Sequence, residues 1–256
     1  MQVSGYEHGV PSWVDIGTDI EKGKAFYGGL LGWECPDGAE EMGFYSNCTL
    51  GGSSVAGIGP QQGDATYWTS YVNVDSVDDT VAKVGDAGGA VIVPGMDIAD
   101  IGRMAICADP QGAVFGLWQP GTHTGCEVVN EPGAFCWSEL ITSDLAAAHA
   151  FYGAVFGWGD LTEDMGGMLY TQWQVGDRTV GGAMGRPEGM PAEVPNHWGV
   201  YFAVADLEAS MARVAELGGA VIDGPIPSPA GPLAMAVDPM GATFGLVQLA
   251  PDRVDA

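Results

Sequence analysis

The sequence predicts an α+β protein made of two tandem copies of one unit, each copy dividing again into two βαβββ-type modules. Three repeated stretches carry this. FYGGLLGW at 26–33 returns as FYGAVFGW at 151–158, and YVNVDSVDDTVAKVGDAGGAVIVP at 71–94 returns as YFAVADLEASMARVAELGGAVIDGP at 201–225. DPQGAVFGL at 109–117 returns as DPMGATFGL at 238–246. A period of about 125 residues is too long for a solenoid repeat and suits a duplicated domain. GTHTGCEVVNEPG, 121–133, is polar and glycine-flanked, as a connection should be. The expected division is a tail at 1–8, a first domain at 9–120, a linker at 121–132, a second domain at 133–250 and a tail at 251–256.

Each copy opens on a strand, PSWVDIGT in the first. A helix follows in which Thr18 and Glu21 stand at capping-box spacing and Ile20, Phe26, Tyr27, Leu30 and Leu31 supply the apolar face. Gly32 fits a left-handed cap, with Trp33 as its apolar contact. In the second copy Asp144 stands near the cap, Leu145, Phe151, Tyr152, Val155 and Phe156 form the face, and Gly157 and Trp158 close it. Two strands come next, around GFYSNCTL and SSVAGIG or MLYTQWQV and TVGGAMG, with room for a further short one. The second half begins with YWTSYVNV or HWGVYFAV and continues into a helix carrying Val77, Val81 and Val84, or Leu207, Met211 and Val214. Double glycines end those helices, strands RMAICAD and LAMAVD follow, and DPxG turns the chain into the last strand.

Composition excludes several functions. The chain has 256 residues, 46% hydrophobic, enough for a buried core. Thirty-three acidic residues against eight basic ones give a net charge of −25, so nucleic acid and anionic membranes are poor partners. No leader-like stretch or membrane-length apolar run occurs, which makes a cytoplasmic protein, monomer or homodimer, the expectation. Five cysteines without a CxxC predict neither a disulfide framework nor a zinc knuckle. Dinucleotide, P-loop, GxSxG and HExxH motifs are absent.

The elements D-x6-FY-x4-G (Asp19 to Gly32, Asp144 to Gly157), a helix ending in GGAV, and DPxG-x-x-F before a terminal strand resemble the vicinal oxygen chelate superfamily, the glyoxalase, bleomycin-resistance and extradiol-dioxygenase group. The chain is similar in particular to two-domain glyoxalase-like proteins of actinobacteria labelled hydroxylases. The resemblance implies two tandem glyoxalase-like domains, each a cup-shaped sheet, with metal ligands in the metalloenzymes projecting inward from the first and last strands of each module. Counting from the FY and GG anchors and along DPxG carries those positions onto Ser12, Gly57, Thr69 and Gly116 in the first copy. In the second they fall on Trp137, Gly182, Gly199 and Gly245. None offers an ordinary metal ligand, so no metal or other cofactor is expected, and the glycines read as a cleared cavity floor.

Strand alternation then assigns the rest of each cup. Val14, Tyr71, Asn73 and Trp118 join the first pocket, and Glu139, His197 and Tyr201 the second. Asp15 falls on the opposite parity, Asp109 and Asp238 read as turn residues, and His149 on its helix and His123 in the linker have no partner. Glu139 is the one inward carboxylate of a first strand, a candidate proton carrier, with His197 or Tyr201 to stabilise developing charge. The expected function is metal-independent binding of a small apolar or aromatic molecule, such as a natural product or antibiotic, in one or both cups. The alternative is a metal-free isomerase, cyclase or lyase working through Glu139.

Overall fold

A computed structural model describes residues 1–251. Most of the expected 251–256 tail therefore lies outside the described residues. The first copy contains β1 (Pro11–Thr18), α1 (Ile20–Leu31), β2 (Ser46–Leu50), β3 (Ser53–Pro60), β4 (Trp68–Asn73), α2 (Val77–Asp86), β5 (Ala90–Ile98), β6 (Gly102–Ala108) and β7 (Val114–Pro120). The second contains β8 (Phe135–Thr142), α3 (Leu145–Phe156), β9 (Gly159–Asp164), β10 (Leu169–Val175), β11 (Arg178–Gly185), β12 (His197–Ala203), α4 (Leu207–Glu216), β13 (Ala220–Ile226), β14 (Leu233–Val237) and β15 (Thr243–Val247). The sheets run β2-β3-β1-β4-β7-β6-β5 and β13-β14-β15-β12-β8-β11-β10-β9. In every module the first strand lies parallel to the last, and the two modules of a copy meet at an antiparallel pair, β1 with β4 and β8 with β12.

The copies differ where β9 stands in the second. Its counterpart in the first is a single bridge between Glu34 and Thr49. Beside that bridge Cys35 and Cys48 form a disulfide, which corrects the expectation that the five cysteines make no disulfide framework. A pairing 13 residues apart in sequence leaves no CxxC-like spacing to find.

Caps follow the expected chemistry with one shift. The α1 N-cap is Asp19, which accepts from the Lys22 backbone N–H, not Thr18. Asp144 caps α3 by accepting from Ala147 N–H, and Gly32 and Gly157 end the two helices at φ 76° and 73°. These are left-handed values that glycine adopts without steric cost.

The core joins the copies crosswise. Phe26 and Tyr27 on α1 pack edge-on against Phe244 of β15, and Phe151 and Tyr152 on α3 pack against Phe115 of β7. At each crossing a tyrosine hydroxyl donates to the buried aspartate of the other copy's DPxG turn. Tyr27 reaches Asp238 at 2.9 Å and Tyr152 reaches Asp109 at 3.1 Å. Trp68 and Trp198 indole N–H groups donate to those same hydroxyls, at 3.0 and 2.9 Å. Asp109 and Asp238 are turn residues, as expected, each accepting two backbone N–H bonds on Oδ1. They also lock the copies together. Residues of the expected linker are packed in, with Cys126 and Val128 buried and Cys126 N–H donating to Ser12 C=O at 2.7 Å.

Candidate functional site

Strand pairing decides which side chains share a cup. In the second copy Glu139 lies opposite Gly182 on one side and Gly199 on the other, and Tyr201 lies opposite Trp137 and Gly245. Directly paired residues project to one face. Trp137, Glu139, Gly182, Gly199, Tyr201 and Gly245 therefore form one patch, as the sequence places them. His197 stands at its edge, half-buried, its Nδ1 2.9 Å from the Pro195 carbonyl.

The first copy corrects the sequence-derived assignment. Asp15 is opposite Gly57 and Thr69, Tyr71 is opposite Trp13 and Gly116, and Asn73 is opposite Trp118. Trp13 and Asp15 thus occupy the cup positions of β1, and Ser12 and Val14 do not. Ser12 sits in a bulge and is fully buried, and Val14 pairs with Ser70, whose hydroxyl meets Ser138 of the other sheet at 2.7 Å. The cause is one residue of connection. Thr142-Ser143-Asp144 in the second copy is matched by Thr18-Asp19 in the first, so counting back from FY slips by one and turns every side chain to the wrong face.

With register correct, the two cups hold the same constellation. In the second, Tyr170 donates to Glu139 Oε1 and Tyr201 to Oε2, each at 2.7 Å, and Trp137 Nε1–H donates to Tyr170 at 3.1 Å. In the first, Tyr45 and Tyr71 both donate to Asp15 Oδ2, at 3.2 and 3.0 Å, and Trp13 Nε1–H donates to Tyr45 at 2.9 Å. Asp15, Trp13, Tyr45 and Tyr170 escaped the sequence reading. The tryptophan–carboxylate spacing shared by WVD and WSE at the two strand starts is the signal that would have found Trp13 and Asp15.

The glycines at the four-ligand positions serve these tyrosines. A Cβ on Gly116 or Gly245 would overlap the ring of Tyr71 or Tyr201, and one on Gly57 or Gly182 would overlap the hydroxyl of Tyr45 or Tyr170. The cleared floor is filled by the protein's own rings. Gly199 differs, with Tyr201 Cε2 at 3.5 Å and Glu139 C=O at 3.6 Å, ordinary contact distances. A metal does not fit: tryptophan, threonine and glycine supply no ligand set, and the described residues contain no group of three His, Cys, Asp or Glu arranged to hold one.

Burial raises the Glu139 pKa, opposed by the hydroxyls of Tyr201 and Tyr170 and then by the charge of His197. Burial raises Asp15 to about 7, opposed by Tyr71 and Tyr45, with no basic group among the causes. Tyr45, Tyr71 and Tyr201 are held well above the ordinary phenol range by burial and by the carboxylate each faces, so they remain donors.

Access separates the cups. His123 packs edge-on against Trp13 and Trp118, ring centres 4.4 and 5.6 Å away, and its carbonyl accepts from Trp118 Nε1 at 3.0 Å. The linker thereby roofs one side of the first cup, leaving Trp13 and Trp118 buried. Asn73 is drawn aside, donating to the Tyr6 carbonyl at 2.8 Å. His149, likewise expected to stand alone, meets Thr171 Oγ1 at 2.8 Å. In the second cup Trp137, Tyr170, His197 and Gly199 are half-buried and reachable. A cavity of about 80 Å³ lies beside Trp137, lined also by Phe135, Cys136, Arg178, Val180 and Tyr6.

Comparison with known proteins agrees with this architecture. A family model described as "Glyoxalase-like domain" matches residues 136–247. Over 98% of both chains the sequence is 43% identical to "Putative glyoxylase CFP32" of Mycobacterium tuberculosis. It is 36% identical, over 94% of both, to "Anthracycline biosynthesis protein DnrV" of Streptomyces peucetius. Among solved structures, the Mn(II)-bound glyoxalase from Novosphingobium aromaticivorans superposes with a TM-score of 0.67 at 17% identity, covering 94% of this chain and 83% of that one. The 2,3-dioxygenase LapB from Pseudomonas sp. KL28 gives 0.66 at 16%, covering 96% of each. The two structures share the fold.

Proposed function

The chain belongs to the glyoxalase-like, vicinal oxygen chelate family, and from that membership we propose that it binds a small, largely aromatic molecule in its second cup without a metal ion. The observation that carries this is the replacement of the ligand positions by Trp137 and three glycines, two of which seat tyrosines that hydrogen-bond Glu139. Such a wall offers aromatic faces and one buried carboxyl, the lining of a small-molecule site. The relatives named for anthracycline biosynthesis support a fused-ring aromatic as the class. The cavity of about 80 Å³ beside Trp137 is too small for such a molecule, since drug-sized sites run to ~300–1,000 Å³. The rings therefore rest in the open concavity against Trp137, Tyr170 and Gly199.

A second reading has one observation in its favour. A carboxyl raised by burial and held by two hydroxyls can exchange a proton with a bound ligand, which suits a metal-free isomerase, cyclase or lyase. A cytoplasmic setting is part of the proposal, and Cys35–Cys48 can overturn it, because disulfides persist mainly in oxidising compartments. The test of binding is titration with a hydroxyanthraquinone, followed by tryptophan emission with and without divalent cations. Trp137→Ala should weaken binding by about 10-fold, and no cation should tighten it or raise the melting midpoint. Affinity that needs a divalent ion, or that ignores Trp137→Ala, refutes the proposal.

A further inference from the structure

The two carboxyls are satisfied differently. Each oxygen of Glu139 accepts one hydroxyl, and His197 is close enough for its charge to act on the group. Both hydroxyls of the first cup converge on Oδ2 of Asp15, and among the described residues Oδ1 accepts no hydrogen bond. Among the described residues no basic side chain forms an ion pair with Asp15. The group is half-buried, neither sealed in the core nor free in solvent. An ionised carboxyl so placed lacks the counter-charge that a buried ion needs.

We propose that the first cup is a site for a small organic ammonium ion, whose N–H groups donate to Asp15 Oδ1 while its carbon skeleton lies against Tyr45, Tyr71 and Tyr67. Tyr67, half-exposed and two residues before Thr69 on the same strand parity as Tyr71, supplies the outer wall, and aromatic faces attract cations. The roof of His123 over Trp13 and Trp118 limits the ligand to the Tyr67 side, so it must be small. A net charge of −25 concentrates cations around the molecule and repels anionic competitors. The inference rests on the cups being ligand sites, but it concerns a different cup, ligand charge and residue from the aromatic site at Trp137.

The pH dependence identifies the group. The ammonium needs Asp15 ionised, so its affinity should fall about tenfold per unit below pH ~7 and level off above it. Around Asp15, Tyr45, Tyr71 and, through Tyr71, Tyr67 are phenols, and Cys126, which acts on Tyr45, is pushed up by burial. His123, beyond Trp13, is pushed below the ordinary imidazole range by burial. Tyr45, Tyr71, Cys126 and His123 are thus each displaced away from a transition near 7.

The experiment is calorimetric titration of the full-length protein with phenethylamine and with its neutral counterpart phenethyl alcohol, on either side of pH ~7. Phenethylamine should bind more tightly than the alcohol, release a proton on binding at lower pH, and lose about 10- to 100-fold in affinity on Asp15→Asn. Trp137→Ala should leave it unchanged. Carboxyl carbon NMR of the wild-type protein, which needs no variant to fold, should show Asp15 shifting to its ionised value as the amine is added. Equal affinity for amine and alcohol, an unshifted Asp15 resonance, or binding of the amine lost with Trp137→Ala overturns the proposal. Those results leave hydroxyanthraquinone binding in the second cup untouched, and failure of that binding leaves the amine result standing.

Discussion

Gly245→Ala and Gly199→Ala add the same methyl group to the same cup, and the structure separates their effects. At Gly245 the new Cβ overlaps the Tyr201 ring. That ring is only 7% exposed, and its hydroxyl holds Glu139 at 2.7 Å. Overpacking of this kind costs about 1–3 kcal/mol, and losing the hydroxyl–carboxyl bond costs about 1.5–3 more. Against this stands a gain of about 0.4–1 kcal/mol from stiffening the unfolded chain. The net is a destabilisation of about 2–5 kcal/mol, accompanied by a further rise of the Glu139 pKa because one of the bonds opposing burial is gone. At Gly199 the nearest atoms stand at 3.5 and 3.6 Å, so only the unfolded-state gain remains and the variant should be neutral or slightly more stable. Urea denaturation measures both, with carboxyl NMR reporting Glu139. A Gly245→Ala protein as stable as wild type, or a Gly199→Ala protein equally damaged, would refute the account of why glycine stands in DPxGAxFGL.

Tyr27→Phe and Tyr152→Phe should each cost about 2–4 kcal/mol, since each strips a partner from a buried aspartate and from an indole N–H at once. Both copies should still unfold in one transition, and a loss below about 0.5 kcal/mol would show that the crossings do not hold them together. Folding stability should decline as pH rises from the ordinary carboxylate range to about 7 and then level off. The sign follows from Asp15 binding its proton more tightly in the folded chain than in the unfolded one. Asp15→Asn should flatten that slope in urea titrations across the range, and an unchanged slope would place the proton elsewhere.

Duplication, the helix caps at Gly32 and Gly157, the DPxG turns and the strand register that brings Trp137, Glu139, Gly182, Gly199, Tyr201 and Gly245 to one face were legible because each depends on local spacing. The first cup was misread for an equally local reason. Ser143 has no counterpart between Thr18 and Asp19, and period-two geometry converts that single residue into a change of face. Tyr45 and Tyr170 were not visible because they reach Asp15 and Glu139 from other strands, and no spacing rule links them. The Cys35–Cys48 bond was missed likewise, since its partners meet only once Glu34 and Thr49 pair. His123 was placed in a connection, where sequence alone gives no reason to expect a side chain to be drawn against two tryptophans.

The crossed tyrosine–aspartate contacts have a consequence for ancestry and for engineering. Each copy's first helix finishes the other copy's last hairpin, so one unit alone would leave an apolar helix face and an aspartate awaiting a phenol. Two identical units could satisfy each other by a twofold axis, and covalent fusion removes the dependence of that pairing on concentration. It also breaks the equivalence of the two halves. A symmetric dimer must carry every mutation twice, whereas here Asp15 and Glu139, Trp118 and Val247, and a bridge and a full strand stand at matching places. A fused pair can keep one shared skeleton while its two chambers acquire different tenants.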